Sequence, residues 1–155
     1  AREILQEYYN DDLIHPILAP HGTTTCDEAA LRRAHEMAVQ YGTLMTLHVS
    51  EMDYEMKHFA DMGHTPLSYM DSIGTVSPHL LAAHCIHVTP EDAERLSRNG
   101  ASVAHCIASN TKAGKGVAPV KALLEAKHLA GRIIWLNPIP ESLGRISAST
   151  FLLSD

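Results

Sequence analysis

The sequence predicts an α/β protein built on a parallel sheet, and two observations carry that reading. Short apolar runs at residues 44–47, 80–83 and 101–104 alternate with longer segments whose apolar residues recur at helical spacing. The segments between the runs are long enough to be helical crossovers, which parallel strands require. At 155 residues the chain can form one domain with a sizeable core.

Taken in order, residues 1–10 carry Ile4, Leu5 and Tyr8 at helical spacing. Residues 13–19 read as a strand, weakened by Pro16 and ending at Pro20-His21-Gly22. Thr25 and Glu28 fit a capping box for a helix to about Tyr41, with Ala30, Ala34, Met37, Ala38 and Tyr41 on one face and Gly42 as the stop. The 44–48 strand follows. Residues 52–74 read as two helices broken near Gly63 and Pro66. The 80–83 strand ends at His84. Thr89-Pro90 then opens a helix with a cap and a proline at its first position, running to Gly100. The 101–104 strand ends at His105. Residues 109–117 read as a polar loop, Pro119 opens a helix to about Lys127, and residues 133–136 read as a further strand. Residues 1–127 are expected to form the organised part, and residues 128–155 a divergent tail.

Composition narrows the function. A net charge of −6, with no Lys/Arg run, argues against nucleic acid or an anionic membrane as partner. No apolar stretch is long enough to cross a bilayer and no signal-peptide pattern is present. Cys26, Cys85 and Cys106 are odd in number and lack a Cys-x-x-Cys spacing, so reduced thiols in a cytoplasmic protein are expected. Gly114-Lys115-Gly116 lacks the strand–loop–helix context of a phosphate loop.

Histidine is the outlier, with 11 copies. Four successive strands end at His21, His48, His84 and His105. Parallel strands place their carboxyl ends, and hence these imidazoles, on one rim, where α/β proteins build their sites. Each histidine alone reads as an ordinary loop residue; four in register point to a shared site. Leu47-His48-Val49-Ser50-Glu51 adds a carboxylate three residues past an imidazole. Imidazole binds zinc or iron, and a carboxylate can move a proton. Cys85 and Cys106 follow rim histidines but should point to the helix side and pack. His35 reads as solvated on its helix, and His87 as lying near the rim without a role.

Ala19-Pro20-His21, Leu47 through Glu51, Ala83-His84-Cys85-Ile86-His87-Val88-Thr89, and Ser102-Val103-Ala104-His105 through Ser109-Asn110 occur in an order and spacing that resemble the amidohydrolase superfamily. The likeness is to its branch of chlorohydrolases and aminohydrolases and covers about residues 13–127. It implies a partial (β/α)8 TIM-type barrel, about strands four to seven. It also implies one zinc or iron ion, a small heterocyclic substrate, and hydrolytic deamination by a metal-activated water. By that likeness His48 is the metal ligand, Glu51 the acid/base, His84 orients water or substrate, and His21 and His105 contact substrate. Ser109 and Asn110 shape the loop.

The chain departs from the family pattern in two places. No His-x-His pair precedes His21, and no Thr-Asp pair follows Ala126; Asp155 is a remote substitute. A full barrel takes about 250 residues. The sequence therefore leaves two main alternatives: a metal-dependent deaminase, or a truncated and catalytically incomplete segment acting as a binding or self-associating module. A segment with open strand edges is expected to form a homo-oligomer. An unrelated flavodoxin-like sheet is a third reading of the alternation.

Overall fold

A computed structural model describes residues 1–126, together with the backbone of two strands, Ile133–Trp135 and Ser149–Thr150. In chain order the elements are α1 (Arg2–Glu7), α2 (Glu28–Gln40), β1 (Met45–Val49), α3 (Asp53–Ala60), α4 (Pro66–Ser72), β2 (Leu80–His84), α5 (Pro90–Arg98), β3 (Ser102–His105), α6 (Ile107–Lys112), α7 (Val120–Glu125), β4 (Ile133–Trp135) and β5 (Ser149–Thr150). The sheet order is β1-β2-β3-β4-β5, parallel up to β4 and antiparallel between β4 and β5. The fold class is α/β, as expected, and the expected strand at 133–136 appears as β4. Asp155 lies outside the described residues.

Period-2 alternation sorts the sheet's two faces. Met45, Leu47, Val49, Leu80, Ala82 and Val103 are buried in one core with Leu31, Met37 and Ala38 of α2, Leu67 and Met70 of α4, and Leu96 of α5. Their alternates Thr46, Leu81, Ala83 and Ser102 are half-buried and His48 is exposed. One face is thus packed by helices, while the other presents smaller and more polar side chains.

Three expectations about secondary structure are corrected. Residues 13–19 do not form a regular strand. Asp11 Oδ1 accepts hydrogen bonds from Leu13 N and Ile14 N, both at 2.8 Å, making a local turn, and Pro16 lacks an N–H. What remains are isolated parallel bridges of Leu18 to Met45 and Gly22 to His48. Asp27, not Thr25, caps α2: its Oδ1 accepts from Ala30 N at 2.7 Å. Residues 109–117 are not all loop, because α6 occupies the first part. Ser109, Asn110 and Thr111 at its centre are weak helix formers, and its turns are closed by Asn110 N donating to Cys106 O (2.9 Å) and Thr111 Oγ1 to Ile107 O (2.8 Å).

Other local signals hold. Gly63 has φ +77° between α3 and α4, and Thr89 and Asp92 complete a capping box behind Pro90. Among the described residues no helix is long and apolar enough to cross a membrane.

His35 is not solvated as expected. It is half-buried, and its Nε2 pairs with Ser77 Oγ at 2.8 Å. Burial, then the nearby His79, pushes its pKa below 6.5, with Glu36 opposing. Burial also pushes His105 below 6.5. A histidine depressed on folding binds its proton more readily in the unfolded chain, so it lowers stability as pH falls through 6.5. Urea midpoints are therefore expected to drop between pH 7.5 and pH 5.5; an equal or higher midpoint at pH 5.5 would contradict this.

Candidate active site

The site grows from the carboxyl ends of β1 and β2. Their register pairs Val49 with His84 and His48 with Ala83. On the other side of β1, His48 N donates to His21 O at 3.1 Å. These pairings line up three imidazoles, with ring centroids 4.9 Å apart for His21–His48 and 5.1 Å for His48–His84. Both strands leave the sheet through left-handed backbone at non-glycine residues: φ is +51° at Ser50, +73° at His84 and +50° at Cys85. Such strain persists only where surrounding bonds over-determine it, and it concentrates at functional sites.

Those bonds are present. Glu55, in the first turn of α3, is 4% exposed. Its Oε1 accepts from Thr23 Oγ1 at 2.5 Å and Ser50 N at 2.9 Å, and its Oε2 accepts from Glu51 N at 2.8 Å. One buried carboxylate thus holds the turn that carries Glu51. Across the sheet, His84 Nδ1–H donates to Asn110 Oδ1 at 2.7 Å, and Asn110 is fully buried. This bond fixes the ring and leaves Nε2 as its other polar atom. His21 Nδ1 pairs with Thr25 Oγ1 at 2.7 Å.

Glu51 is the electrostatic centre. Its Oε1 accepts from Lys115 Nζ at 2.6 Å and lies 3.5 Å from His84 Nδ1. Burial works to raise its pKa. The Lys115 hydrogen bond, and then the charges of His84, Lys115 and His48, outweigh that and hold the carboxyl below its ordinary value. At neutral pH it is an ionised proton acceptor.

His21, His48, Glu51, His84, Ser109 and Lys115 line one cleft of about 420 Å³. Four of the five residues singled out in the sequence therefore meet. His105 is 1% exposed and lies outside that lining. Cys85 and Cys106 are buried, and burial pushes both thiols above their ordinary range, as packing residues rather than nucleophiles. The residues missed from sequence are Glu55 and Lys115, and Asn110 has a sharper role than loop-shaping.

Imidazoles beside a carboxylate have the donor chemistry of a zinc site. Among the described residues, however, no three His, Cys, Asp or Glu side chains come together as a set able to hold a metal ion. The described residues alone therefore do not make a metal site.

A model of the amidohydrolase family matches residues 1–130. A 5′-deoxyadenosine deaminase of Methanothrix thermoacetophila is 38% identical over 122 residues, 78% of this chain and 30% of the relative. A 5-methylthioadenosine/S-adenosylhomocysteine deaminase of Aquifex aeolicus is 36% identical over 121 residues, 77% of this chain and 28% of that protein. The chain thus spans about 30% of the length of the curated relatives it matches.

Among solved structures, a zinc-bound adenosine deaminase of Xanthomonas campestris superposes with a TM-score of 0.76 at 32% identity, over 81% of this chain and 29% of that one. A zinc-bound atrazine chlorohydrolase of Arthrobacter aurescens superposes at 0.69 over 86% of this chain and 31% of that one, and its 20% identity speaks to fold alone. A flavodoxin-like origin is set aside by these matches. On the family model and the identity to the deaminases, this chain belongs to the amidohydrolase family.

Proposed function

We propose that this chain carries the acid–base portion of a hydrolytic deaminase site for the amino group of a purine-like ring. The observation that carries the reading is an ionised Glu51 held in a cleft beside His48 and His84. In the reaction, water loses a proton to Glu51 as its oxygen bonds to the ring carbon bearing the amine. Glu51 returns the proton to the nitrogen, the C–N bond breaks, and ammonia leaves. His84, fixed by Asn110, orients water or substrate through its second nitrogen. His21, at the cleft rim, contacts the ring. His105, behind the rim, takes no direct part.

Zinc in the related structures supports a divalent ion, zinc or iron, for the whole site. His48 is the one donor we assign to it here, with the others outside residues 1–126. That incomplete donor set favours a second reading, a catalytically incomplete segment.

Ammonia release from 5′-deoxyadenosine and 5′-methylthioadenosine, with metal analysis of the purified chain, separates the two. The deaminase reading expects ammonia and about one tightly held zinc or iron per chain. Folded chain with neither supports the second reading and overturns the first.

A further inference from the structure

We propose that Lys115 is a positioning residue for Glu51, and that the short segment from Asn110 to Lys115 sets the spacing between Glu51 and His84. For its purpose this rests on the deaminase reading, but its test does not.

Lys115 and Glu51 are 64 residues apart in sequence, yet their side chains meet at 2.6 Å and are only 30% and 13% exposed. An exposed lysine pair contributes little; a partly buried ammonium bonded to one named oxygen fixes that oxygen's place. The backbone is shaped to deliver the ammonium. Lys115 N donates to Asn110 O at 2.9 Å, closing the end of α6. Gly114 has φ +65°. Gly116 has φ +112°, and a Cβ there would lie 3.0 Å from Ile86 Cγ2. Neither position tolerates an ordinary side chain without strain.

The same segment holds the other half of the site, since Asn110 Oδ1 takes the His84 Nδ1–H. Glu51 Oε1 and His84 Nδ1 face each other at 3.5 Å, each tied to a residue of this one segment. The end of α6 and the glycine-flanked turn after it therefore hold both groups. Lys112, on the same segment, is exposed and serves as an internal control.

The test is carbon-13 NMR of the Glu51 carboxyl during pH titration of the full chain, in wild type, K115M, K115R and K112M. The expected result is an upward shift of the Glu51 midpoint in K115M, restoration toward wild type in K115R, and no shift in K112M. A K115M midpoint equal to that of wild type, or no restoration by K115R, overturns the proposal. If the shifts appear while the chain releases no ammonia, the positioning assignment stands and the deaminase reading alone fails.

Discussion

On the proposed deaminase reading, Glu51→Gln is expected to lower the deamination rate by about 10²–10⁴-fold, the range for losing a general acid–base group. Glutamine keeps the shape and still accepts from Lys115 Nζ through its carbonyl oxygen, so the cleft persists. What it loses is the ability to take a proton from water and return it to the leaving amine. Nucleoside binding should survive, because the imidazoles and the Thr25-held His21 are untouched. The fall should therefore appear in kcat rather than in KM. Steady-state ammonia release checks this, and a Gln variant within a few-fold of wild type would remove Glu51 from the chemistry.

Glu55→Ala is expected to destabilise the fold by about 3–5 kcal/mol. The side chain is 4% exposed and accepts three hydrogen bonds, from Thr23 Oγ1, Ser50 N and Glu51 N. Alanine leaves all three donors without their acceptor, at roughly 1–3 kcal/mol for each that stays buried. It also releases the turn at Ser50, whose φ of +51° the carboxylate stabilises. Against a typical total of about 5–15 kcal/mol, that is a large fraction. Urea unfolding with an unchanged slope checks it, and a loss under about 1 kcal/mol would show that the turn holds itself.

Much of this was legible in the residues, for physical reasons that differ from place to place. His48 and His84 are readable because each follows an apolar run and parallel strands carry their ends to one side, and His21 because its run, though no regular strand, still bridges to β1 in parallel at Leu18 and Gly22. Glu51 was readable from its spacing to His48. Lys115 is not, because its partner lies 64 residues away and its flanking glycines by themselves resemble only a fragment of a phosphate loop. Glu55 was hidden for a related reason: inside a helical pattern a glutamate reads as solvated, and nothing local shows two backbone N–H groups turned toward it. The apolar residues of 13–19 suggest a strand, but the backbone effects of Asp11 and Pro16 prevail. α6 is hard to read from sequence because Ser109, Asn110 and Thr111 are weak helix formers, and the bond that ties Asn110 to His84 reaches 26 residues away.

The most direct measurement asks whether the proposed purine-like ligand binds, and at which of two clefts. One lies at the strand ends around His48, Glu51 and His84. The other, about 330 Å³, is lined by Leu5, Tyr9, Pro16, Tyr41 and Thr43. Chemical-shift mapping of the isotope-labelled chain with purine riboside, an unreactive analogue lacking the amine, needs no turnover. Saturable shifts centred on His21, His48, Glu51 and His84 are the predicted result. Shifts centred on Tyr9 and Tyr41, or none at millimolar ligand, would contradict the assignment of the site.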